Sequence, residues 1–351
     1  MEHLVRSCYK QGGYQFAKKP QDVAREYGTD RIARLASNEN PEPPSPAILA
    51  AAEVALRHVN RYPDERVDIL TSALRRYYGD YRFVTGVGMD GVIETLIRTL
   101  VEPGETITVS TPTFSFYGLA AQAQGAKIIT VPRKQDFSLD TGALVRAGKT
   151  AKVVVLCSPN NPTGNATPVD EVAEVLEGIR GVLFLDNAYV EFSDYDYLPL
   201  SKRYENLVIG RTFSKAHALA GLRIGYAFVP AWLLPFYLRA GTPFAMNSVS
   251  CVAAAAALAD TENAKRYIAQ VKRWRKRFST DVKFPVLPSD ANFVMVDVSP
   301  CTSDEMVEKL ARHGVIVRSC RSFSGLPDHY IRVSIGKDTE NEMFIQEINS
   351  L

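Results

Sequence analysis

The stretch RTFSKAHALAGLR, residues 211–223, sets Lys215 among small and apolar neighbours directly after the strand-like LVIGR of residues 207–211. A lysine that forms a Schiff base with a carbonyl compound must shed its proton, which is easier where the amine is partly desolvated and near another positive charge. Arg223 supplies such a charge eight positions further on. The stretch indicates a reactive amine, although a lysine that merely extends from a strand end to water would look the same by itself.

Asp186 follows the apolar run VLFL, which places a carboxylate at the rim of a buried sheet. Such a carboxylate can keep a heterocyclic nitrogen protonated by ion pairing. A protonated pyridine is the electron sink that pyridoxal phosphate chemistry needs when a bond to the substrate's α-carbon breaks. A capping role in the following loop is the alternative for Asp186. Together, the lysine and the carboxylate favour a site for that cofactor.

The elements that must position these residues alternate between short apolar strands and amphipathic helices. This pattern is typical of an α/β domain whose mostly parallel sheet is buried on both faces. The predicted helices are 46–59, 67–78, 92–100, 115–124 and 169–179, and the predicted strands are 107–110, 127–131, 153–157, 182–186, 207–211 and 224–229.

Four polar segments fall where predicted strands end: SPNNPTG (158–164), DNAY (186–189), TFSK (212–215) and GLR (221–223). In an open parallel sheet the carboxyl ends of the strands form the ligand crevice. We therefore expect these four segments to meet in one site.

The order of the predicted helices and strands changes after residue 240. A long helix and then adjacent strands with flanking helices predict a smaller α+β domain. We expect a large domain over 34–240 and a small domain made of 241–351 and the N-terminal arm 1–33. The predicted elements of the small domain are helices 262–278, 303–314 and 340–349, and strands 292–298, 315–319 and 330–335.

Two short motifs resemble nucleotide-binding sequences. Each lacks the neighbouring residue or the order of strand and helix that such a site requires. GVGMDG at 86–91 has the G-x-G-x-x-G form, but ITVS, the next strand, is followed by TPT rather than by an acidic residue. ALVRAGKT at 143–150 resembles a phosphate-binding loop but reads as a helix running into a strand, which is the reverse order. What remains is a glycine-rich turn that opens a helix near Asp90 and offers amides to an anion.

The basic run VKRWRKRF indicates no nucleic-acid partner, because Tyr267, Ile268, Val271, Trp274 and Phe278 recur at helical spacing and make a buried stripe. The net charge of +2 argues neither for nor against an anionic polymer as a partner.

Five scattered cysteines without a C-x-x-C pair, and five histidines without a cluster, predict reduced thiols in a cytoplasm and no metal site. The charged N-terminus lacks the core of a signal peptide, and CVAAAAALA is too short to span a bilayer, so no membrane segment is expected.

The sequence as a whole resembles the fold type I, pyridoxal-phosphate-dependent aminotransferases, and most closely the histidinol-phosphate aminotransferase family. As a set the matching stretches are highly specific, and they run in family order from Leu35 to Gly336. They are LASNENP, NRYPD, GVGMDG, PTFSFY, CSPNNPTG, DNAYVEF, RTFSKAHALAGLRIGY, and VIVRSCRSF to YIRVSIG.

The resemblance implies roles around the cofactor ring. Lys215 would hold pyridoxal phosphate covalently and move the proton at the substrate's α-carbon. Asp186 would pair with the pyridine nitrogen. Asn161 and Tyr189 would hydrogen-bond the phenolic oxygen, and Phe114 would stack on the ring face.

The resemblance also implies a phosphate cup and a homodimer with shared active sites. Ser214, Arg223 and the helix start at Met89 and Asp90 would bind the phosphate group of the cofactor. Tyr62, in NRYPD, matches a tyrosine that the neighbouring subunit supplies to this cup.

For the substrate, Arg332 matches the arginine that receives the acidic end, and Arg318 is its companion. Arg321 lies near enough in sequence to take the place of Arg318. Tyr14 and Asn38 would line the substrate pocket. Two guanidinium groups suit a phosphate monoester, because each can bind it bidentately.

Four positions depart from the family pattern. Asn187 stands where glutamate is usual, Gly91 follows Asp90 in place of glutamate, Phe114 replaces a tyrosine, and His217 stands where phenylalanine is common. Phe114 keeps the stacking face and Gly91 keeps an amide donor, so the implied chemistry is retained.

The expected activity is transfer of an amino group between glutamate and imidazole-acetol phosphate, a step of histidine biosynthesis. The alternatives on the same scaffold are a threonine-phosphate decarboxylase, whose RSC-x-x-(aromatic)-x-GL segment is similar to RSCRSFSGL here, and an aromatic or general aminotransferase. A pyridoxal-phosphate-binding regulator would need a further DNA-binding domain, for which no length is expected before Arg34.

Overall fold

The computed structural model describes residues 1–10 and 13–351, so residues 11–12 of the predicted N-terminal arm lie outside the description. Within the described residues the α-helices are α1 (Pro20–Tyr27), α2 (Pro46–Leu56), α3 (Asp68–Tyr78), α4 (Gly88–Leu100), α5 (Phe116–Gln124), α6 (Thr141–Gly148), α7 (Val169–Gly178), α8 (Leu234–Ala240), α9 (Ser248–Ala259), α10 (Glu262–Asp281), α11 (Ser303–Arg312) and α12 (Asp338–Ser350).

The strands are β1 (Ala33–Arg34), β2 (Phe83–Val87), β3 (Thr106–Thr111), β4 (Lys127–Pro132), β5 (Val153–Cys157), β6 (Val182–Asp186), β7 (Leu207–Thr212), β8 (Ile224–Phe228), β9 (Phe293–Asp297), β10 (Val315–Ile316), β11 (Arg318–Ser319) and β12 (Tyr330–Ser334). None of the helices in the described ranges is both long and apolar enough to cross a membrane.

A seven-stranded sheet forms the centre of the larger domain, in the order β2-β8-β7-β6-β5-β3-β4. All neighbouring pairs are parallel except those of β8, which runs antiparallel to β7 and β2. The mostly parallel sheet that the sequence predicts is therefore confirmed. Its β2 was not predicted, because FVTGV is short and contains a glycine.

Helices cover both faces of this sheet, and the side chains of its central strands alternate between two cores. Val154 and Leu156 of β5 pack into the core that contains α2, α3, α6, α7 and α9. Val153 and Val155 pack into the opposite core, which contains α4 and α5. All five residues of β5 are buried, as its continuous apolar run predicts.

The position of α9 bears on the predicted domain boundary at residue 240. Met246, Cys251, Ala254 and Leu258 lie in the same core as α2 and α3. We therefore propose that the larger domain extends to Ala259, beyond the predicted boundary. The alanine-rich sequence of α9 carries no apolar stripe, so the sequence did not identify it as a helix of that domain.

The smaller domain has an antiparallel sheet, β11-β12-β9, and a parallel pair, β1-β10. The predicted single strand 315–319 is wrong, since Val315 and Ile316 pair with β1 whereas Arg318 and Ser319 pair with β12. Trp274 and Phe278 of α10 are buried, as the predicted stripe requires. They pack with α12 and the strands of this sheet.

Candidate active site

A cavity of about 390 Å³ lies where the two domains meet, at the carboxyl ends of β5, β6 and β7. All the predicted site residues except Tyr62 line it: Tyr14, Asn38, Met89, Asp90, Phe114, Asn161, Asp186, Tyr189, Ser214, Lys215, Arg223, Arg318 and Arg332. The structure thus brings together side chains that are up to 318 positions apart, since the chain between Tyr14 and Arg332 folds around one site.

Lys215 follows β7, and its amine group points into this cavity. The Nζ atom donates a hydrogen bond of 3.3 Å to the carbonyl oxygen of Ser37 and lies 5.6 Å from the ring centre of Tyr189. Burial, and then the positive charges of Arg332 and Arg223, lower the pKa of Lys215 to about 8, against the opposing charges of Glu39 and Asp90. An amine with this pKa is substantially neutral at a mildly alkaline pH.

Asp186 ends β6 and is 3% exposed. Its Oδ2 accepts a hydrogen bond of 2.6 Å from the hydroxyl group of Tyr117, and its Oδ1 accepts one of 2.9 Å from the backbone amide of Ala188. Burial raises the pKa of Asp186 to about 6, and these two donors oppose that rise. The carboxylate is thus held rigidly at the base of the cavity.

Tyr117 is a site residue that the sequence analysis missed. It lines the cavity from α5 and is fully buried. The available signal was a tyrosine on the apolar face of a helix with Ala120 and Ala121, because a buried hydroxyl group needs a hydrogen-bond partner.

Arg332, from β12 of the smaller domain, joins the two domains at the cavity. Its Nη1 donates a hydrogen bond of 2.6 Å to Oδ1 of Asn161, and its Nη2 donates one of 2.5 Å to the carbonyl oxygen of Ala36. Its guanidinium group lies 5.4 Å from the ring centre of Phe293. These contacts hold the guanidinium plane in one orientation.

Asn38 and Tyr189 form a second network beside Arg332. The amide nitrogen Nδ2 of Asn38 donates a hydrogen bond of 3.1 Å to the hydroxyl oxygen of Tyr189, and its Oδ1 accepts one of 2.8 Å from Ser334. Asn38 has φ of 54°, a left-handed conformation that is uncommon outside glycine. Such local strain persists where the surrounding contacts over-determine it.

The N-terminus of α4 forms an anion cradle with the β7–β8 connection. Helix geometry leaves the amides of Met89 and Asp90 without an intrahelical acceptor, and the helix dipole favours a negative charge there. The guanidinium group of Arg223 reaches the same place and pairs with Asp90 at 2.9 Å. Ser214, whose Oγ accepts a hydrogen bond of 2.9 Å from Thr212, adds a hydroxyl group.

Gly88 and Arg223 approach closely at this cradle. The amide of Gly88 donates a hydrogen bond of 2.9 Å to the carbonyl oxygen of Arg223, and a Cβ atom on Gly88 would collide with the Arg223 guanidinium group. Gly88 also has φ of +68°. Only glycine fits this position without displacing the arginine.

Arg318 and Arg321, between which the sequence left a choice, occupy different environments. Arg318 is 8% exposed and lines the cavity, and its guanidinium group lies 5.7 Å from the ring centre of Tyr14. Arg321 is exposed and pairs with Asp304 at 2.8 Å. The cavity therefore holds Arg318 and Arg332, and Arg321 lies outside it.

Tyr62 does not line the cavity of its own chain. It is 83% exposed, and its ring stacks on Phe244 with 4.8 Å between the ring centres. A role in binding the cofactor would have to be exerted on another copy of the chain.

Two of the departures from the family pattern lie away from the cavity wall. Asn187 is fully buried, and its Nδ2 donates a hydrogen bond of 2.7 Å to the carbonyl oxygen of Ser158. His217 is buried with its ring 5.0 Å from Phe213, and burial lowers its pKa to about 4. His217 is therefore neutral at physiological pH and packs as an aromatic side chain.

The residues of the cavity fit pyridoxal phosphate. The anion cradle, the Asp186 carboxylate, the Lys215 amine and the Phe114 ring all line the same cavity. The cavity volume is within the range of small-molecule sites. The described part of the chain holds no group of three or more histidine, cysteine, aspartate or glutamate side chains arranged to bind a metal ion.

A seven-stranded mostly parallel sheet with a lysine and a buried aspartate at the carboxyl ends of its strands defines the fold type I class of pyridoxal-phosphate-dependent enzymes. Within that class, the chain belongs to the aminotransferase class I and II family, whose model matches residues 30–348.

Comparisons with individual proteins agree with this assignment. The chain is 66% identical to a histidinol-phosphate aminotransferase from Methanoculleus marisnigri and 56% identical to one from Methanosphaerula palustris, each over 100% of both chains. The structure is similar to that of histidinol-phosphate aminotransferase from Sinorhizobium meliloti in complex with pyridoxal-5'-phosphate. The TM-score is 0.88 at 27% identity, over 99% of this chain and 97% of that chain.

Proposed function

We propose that this protein is a pyridoxal-phosphate-dependent aminotransferase that moves an amino group between glutamate and imidazole-acetol phosphate. The observation that carries the proposal is the presence of two buried arginines, Arg318 and Arg332, in the same cavity as Lys215. The full-length similarity to histidinol-phosphate aminotransferases supports it. The product of the amino transfer would be histidinol phosphate.

The arginine pair accounts for both substrates. A guanidinium group binds a carboxylate or a phosphate through two parallel hydrogen bonds, so the same pair can receive the side-chain carboxylate of glutamate or the phosphate monoester. Burial of both groups strengthens these hydrogen bonds, because water competes less for them. Tyr14, whose ring lies beside the Arg318 guanidinium group, lines the cavity from the N-terminal arm.

The remaining residues orient the reacting atoms. When bound, pyridoxal phosphate supplies a ring that withdraws electrons from the substrate's α-carbon. Lys215 removes and returns the proton at that carbon, and its lowered pKa suits this work near neutral pH. Phe114 and Asp186 would fix the plane of the ring, so that the bond between the α-carbon and its proton can stand perpendicular to that plane.

We further propose a homodimer in which Tyr62 enters the site of the other copy. Its exposure and its stacking on Phe244 support this, because two adjacent exposed aromatic rings are typical of a contact surface. A cytoplasmic location is proposed on the five cysteines, all of them free thiols.

A half-reaction tests the function. The purified yellow holoenzyme is mixed with histidinol phosphate alone, and the absorbance of the cofactor is followed. Loss of the yellow colour with formation of pyridoxamine phosphate is expected. No change with histidinol phosphate, together with carbon dioxide release from threonine phosphate, would identify a decarboxylase instead. Preference for phenylpyruvate over the phosphorylated acceptor would identify an aromatic aminotransferase.

A further inference from the structure

We propose that Tyr117 is a positioning residue whose hydroxyl group holds the carboxylate of Asp186 in one orientation and in its ionised form, ready to pair with the pyridine nitrogen of the cofactor. The inference rests on the proposed use of pyridoxal phosphate. It concerns a residue that acts through Asp186 rather than by touching the substrate.

The geometry of the pair is the first observation. Tyr117 lies in the first turn of α5 and is 0% exposed, and its Oη donates a hydrogen bond of 2.6 Å to Oδ2 of Asp186. That distance is in the range of a hydrogen bond to a charged oxygen. The backbone amide of Ala188 holds the other oxygen at 2.9 Å. Two donors from separate segments therefore prevent rotation of the carboxylate.

The direction of the hydrogen bond is set by the surroundings of Tyr117. Burial, and then the negative charge of Asp186, raise the pKa of Tyr117 well above its usual value. The hydroxyl group consequently keeps its proton at neutral pH and acts as the donor. A donor stabilises the charged form of the carboxylate, whereas an acceptor would destabilise it.

Burial and a neighbouring carboxylate favour the protonated form of Asp186, and the hydrogen bond from Tyr117 opposes them. Burial and the charge of Asp90 raise the pKa of Asp186, the hydrogen bonds from Tyr117 and Ala188 and the charge of Lys215 lower it, and the net value is about 6. Cys157 and Tyr189 are neutral, because burial raises the pKa of each. The titratable side chains facing Asp186 are thus Tyr117 from α5, Cys157 from β5, Asp90 from α4, Tyr189 after β6 and Lys215 after β7.

Loss of the Tyr117 hydroxyl group should favour the protonated form of Asp186. Without the donor, the pKa of Asp186 rises, so a larger fraction of the carboxyl groups is protonated near neutral pH. A protonated carboxyl group cannot stabilise a protonated pyridine by charge. The cofactor should then bind more weakly, and the acid limb of the activity profile should move to higher pH.

A simple structural role for Tyr117 is the competing explanation, because any buried tyrosine needs a partner for its hydroxyl group. Tyr237 provides a matched control. It is 3% exposed, and its Oη donates a hydrogen bond of 3.1 Å to the carbonyl oxygen of Thr85, outside the cavity wall. Tyr117→Phe and Tyr237→Phe each remove one buried hydroxyl group and keep the ring.

The test measures the dissociation constant of pyridoxal phosphate from the full-length protein and the pH dependence of kcat/KM. Tyr117→Phe should weaken cofactor binding about tenfold, equivalent to about 1.4 kcal/mol, and raise the acid-limb pKa by about one unit. Tyr237→Phe should stay within about twofold of wild type. In an Asp186→Asn background, Tyr117→Phe should have little further effect, since neighbours that act together are not additive.

Unchanged cofactor binding and an unchanged acid limb in Tyr117→Phe would overturn the inference. An equal loss in Tyr237→Phe, or full additivity with Asp186→Asn, would overturn it as well. Wild-type protein that binds no pyridoxal phosphate would contradict the proposed function, so the two failures are distinguishable.

Discussion

Arg332 and Asn161 are joined by a hydrogen bond of 2.6 Å between Nη1 and Oδ1, which connects the sheet of the smaller domain to the loop after β5 in the larger one. This bond leaves the amide nitrogen of Asn161 free to act as a donor on its other side. The arginine expected to receive the substrate's acidic end therefore also orients a residue expected to contact the cofactor.

Replacement of Arg332 should affect both substrates. Arg332→Lys keeps the charge but loses the planar fork, so we expect kcat/KM to fall about tenfold to 100-fold for glutamate and for the phosphorylated substrate. Steady-state kinetics with each substrate measure this. Arg273→Lys, at a surface arginine paired with Asp338, is the control. Equal kinetics for Arg332→Lys and wild type would exclude the assigned role.

Arg318 and Arg321 offer a comparison between two arginines that are three positions apart in the chain. Arg318→Ala should raise the KM of histidinol phosphate about tenfold, because a buried cation in the cavity is lost. Arg321→Ala should change it less than about twofold, because that side chain is exposed and paired with Asp304. A larger effect of Arg321→Ala than of Arg318→Ala would reverse the assignment.

The lowered pKa of Lys215 predicts how cofactor attachment depends on pH. Below its pKa the amine is protonated and cannot attack an aldehyde, so the rate should rise with pH and level off above about 8. An ordinary lysine would show this only near 10.4. The rate is measured by stopped-flow absorbance after mixing cofactor-free protein with pyridoxal phosphate.

Arg332→Ala provides a control for this pH dependence. It removes a positive charge that lowers the pKa of Lys215 and should move the midpoint to higher pH. A wild-type rate that keeps rising to pH 10 would show that the amine is not perturbed.

The proposed exchange of Tyr62 between subunits can be tested by complementation. Lys215→Ala and Tyr62→Ala subunits, each impaired alone, are unfolded together and refolded as mixed dimers. If Tyr62 serves the other subunit, each mixed dimer contains one site with both Lys215 and Tyr62, and activity should rise above that of either variant. Activity equal to the average of the two parents would contradict a shared site.

Much of the larger domain was predictable because its strands are continuous apolar runs. The bounds of β5 and β6 agree with the predicted 153–157 and 182–186. Both strands are buried on both faces, so local hydrophobicity alone marks them. The carboxyl ends of these strands then place SPNNPTG and DNAY beside one another.

The elements that the sequence did not resolve depend on contacts between distant segments. The break at Val317 follows from two different pairing partners, β1 and β12. The assignment of α9 to the larger domain depends on packing against α2 and α3. The role of Tyr117 depends on an acceptor 69 positions away, which local patterns do not reveal.

Borohydride reduction of the holoenzyme followed by peptide mapping identifies the lysine that holds the cofactor. We expect a single reduced adduct of pyridoxal phosphate on the peptide that contains residues 212–223, at Lys215, and none in Lys215→Ala. An adduct at another lysine, or none in the wild-type protein, would contradict the account.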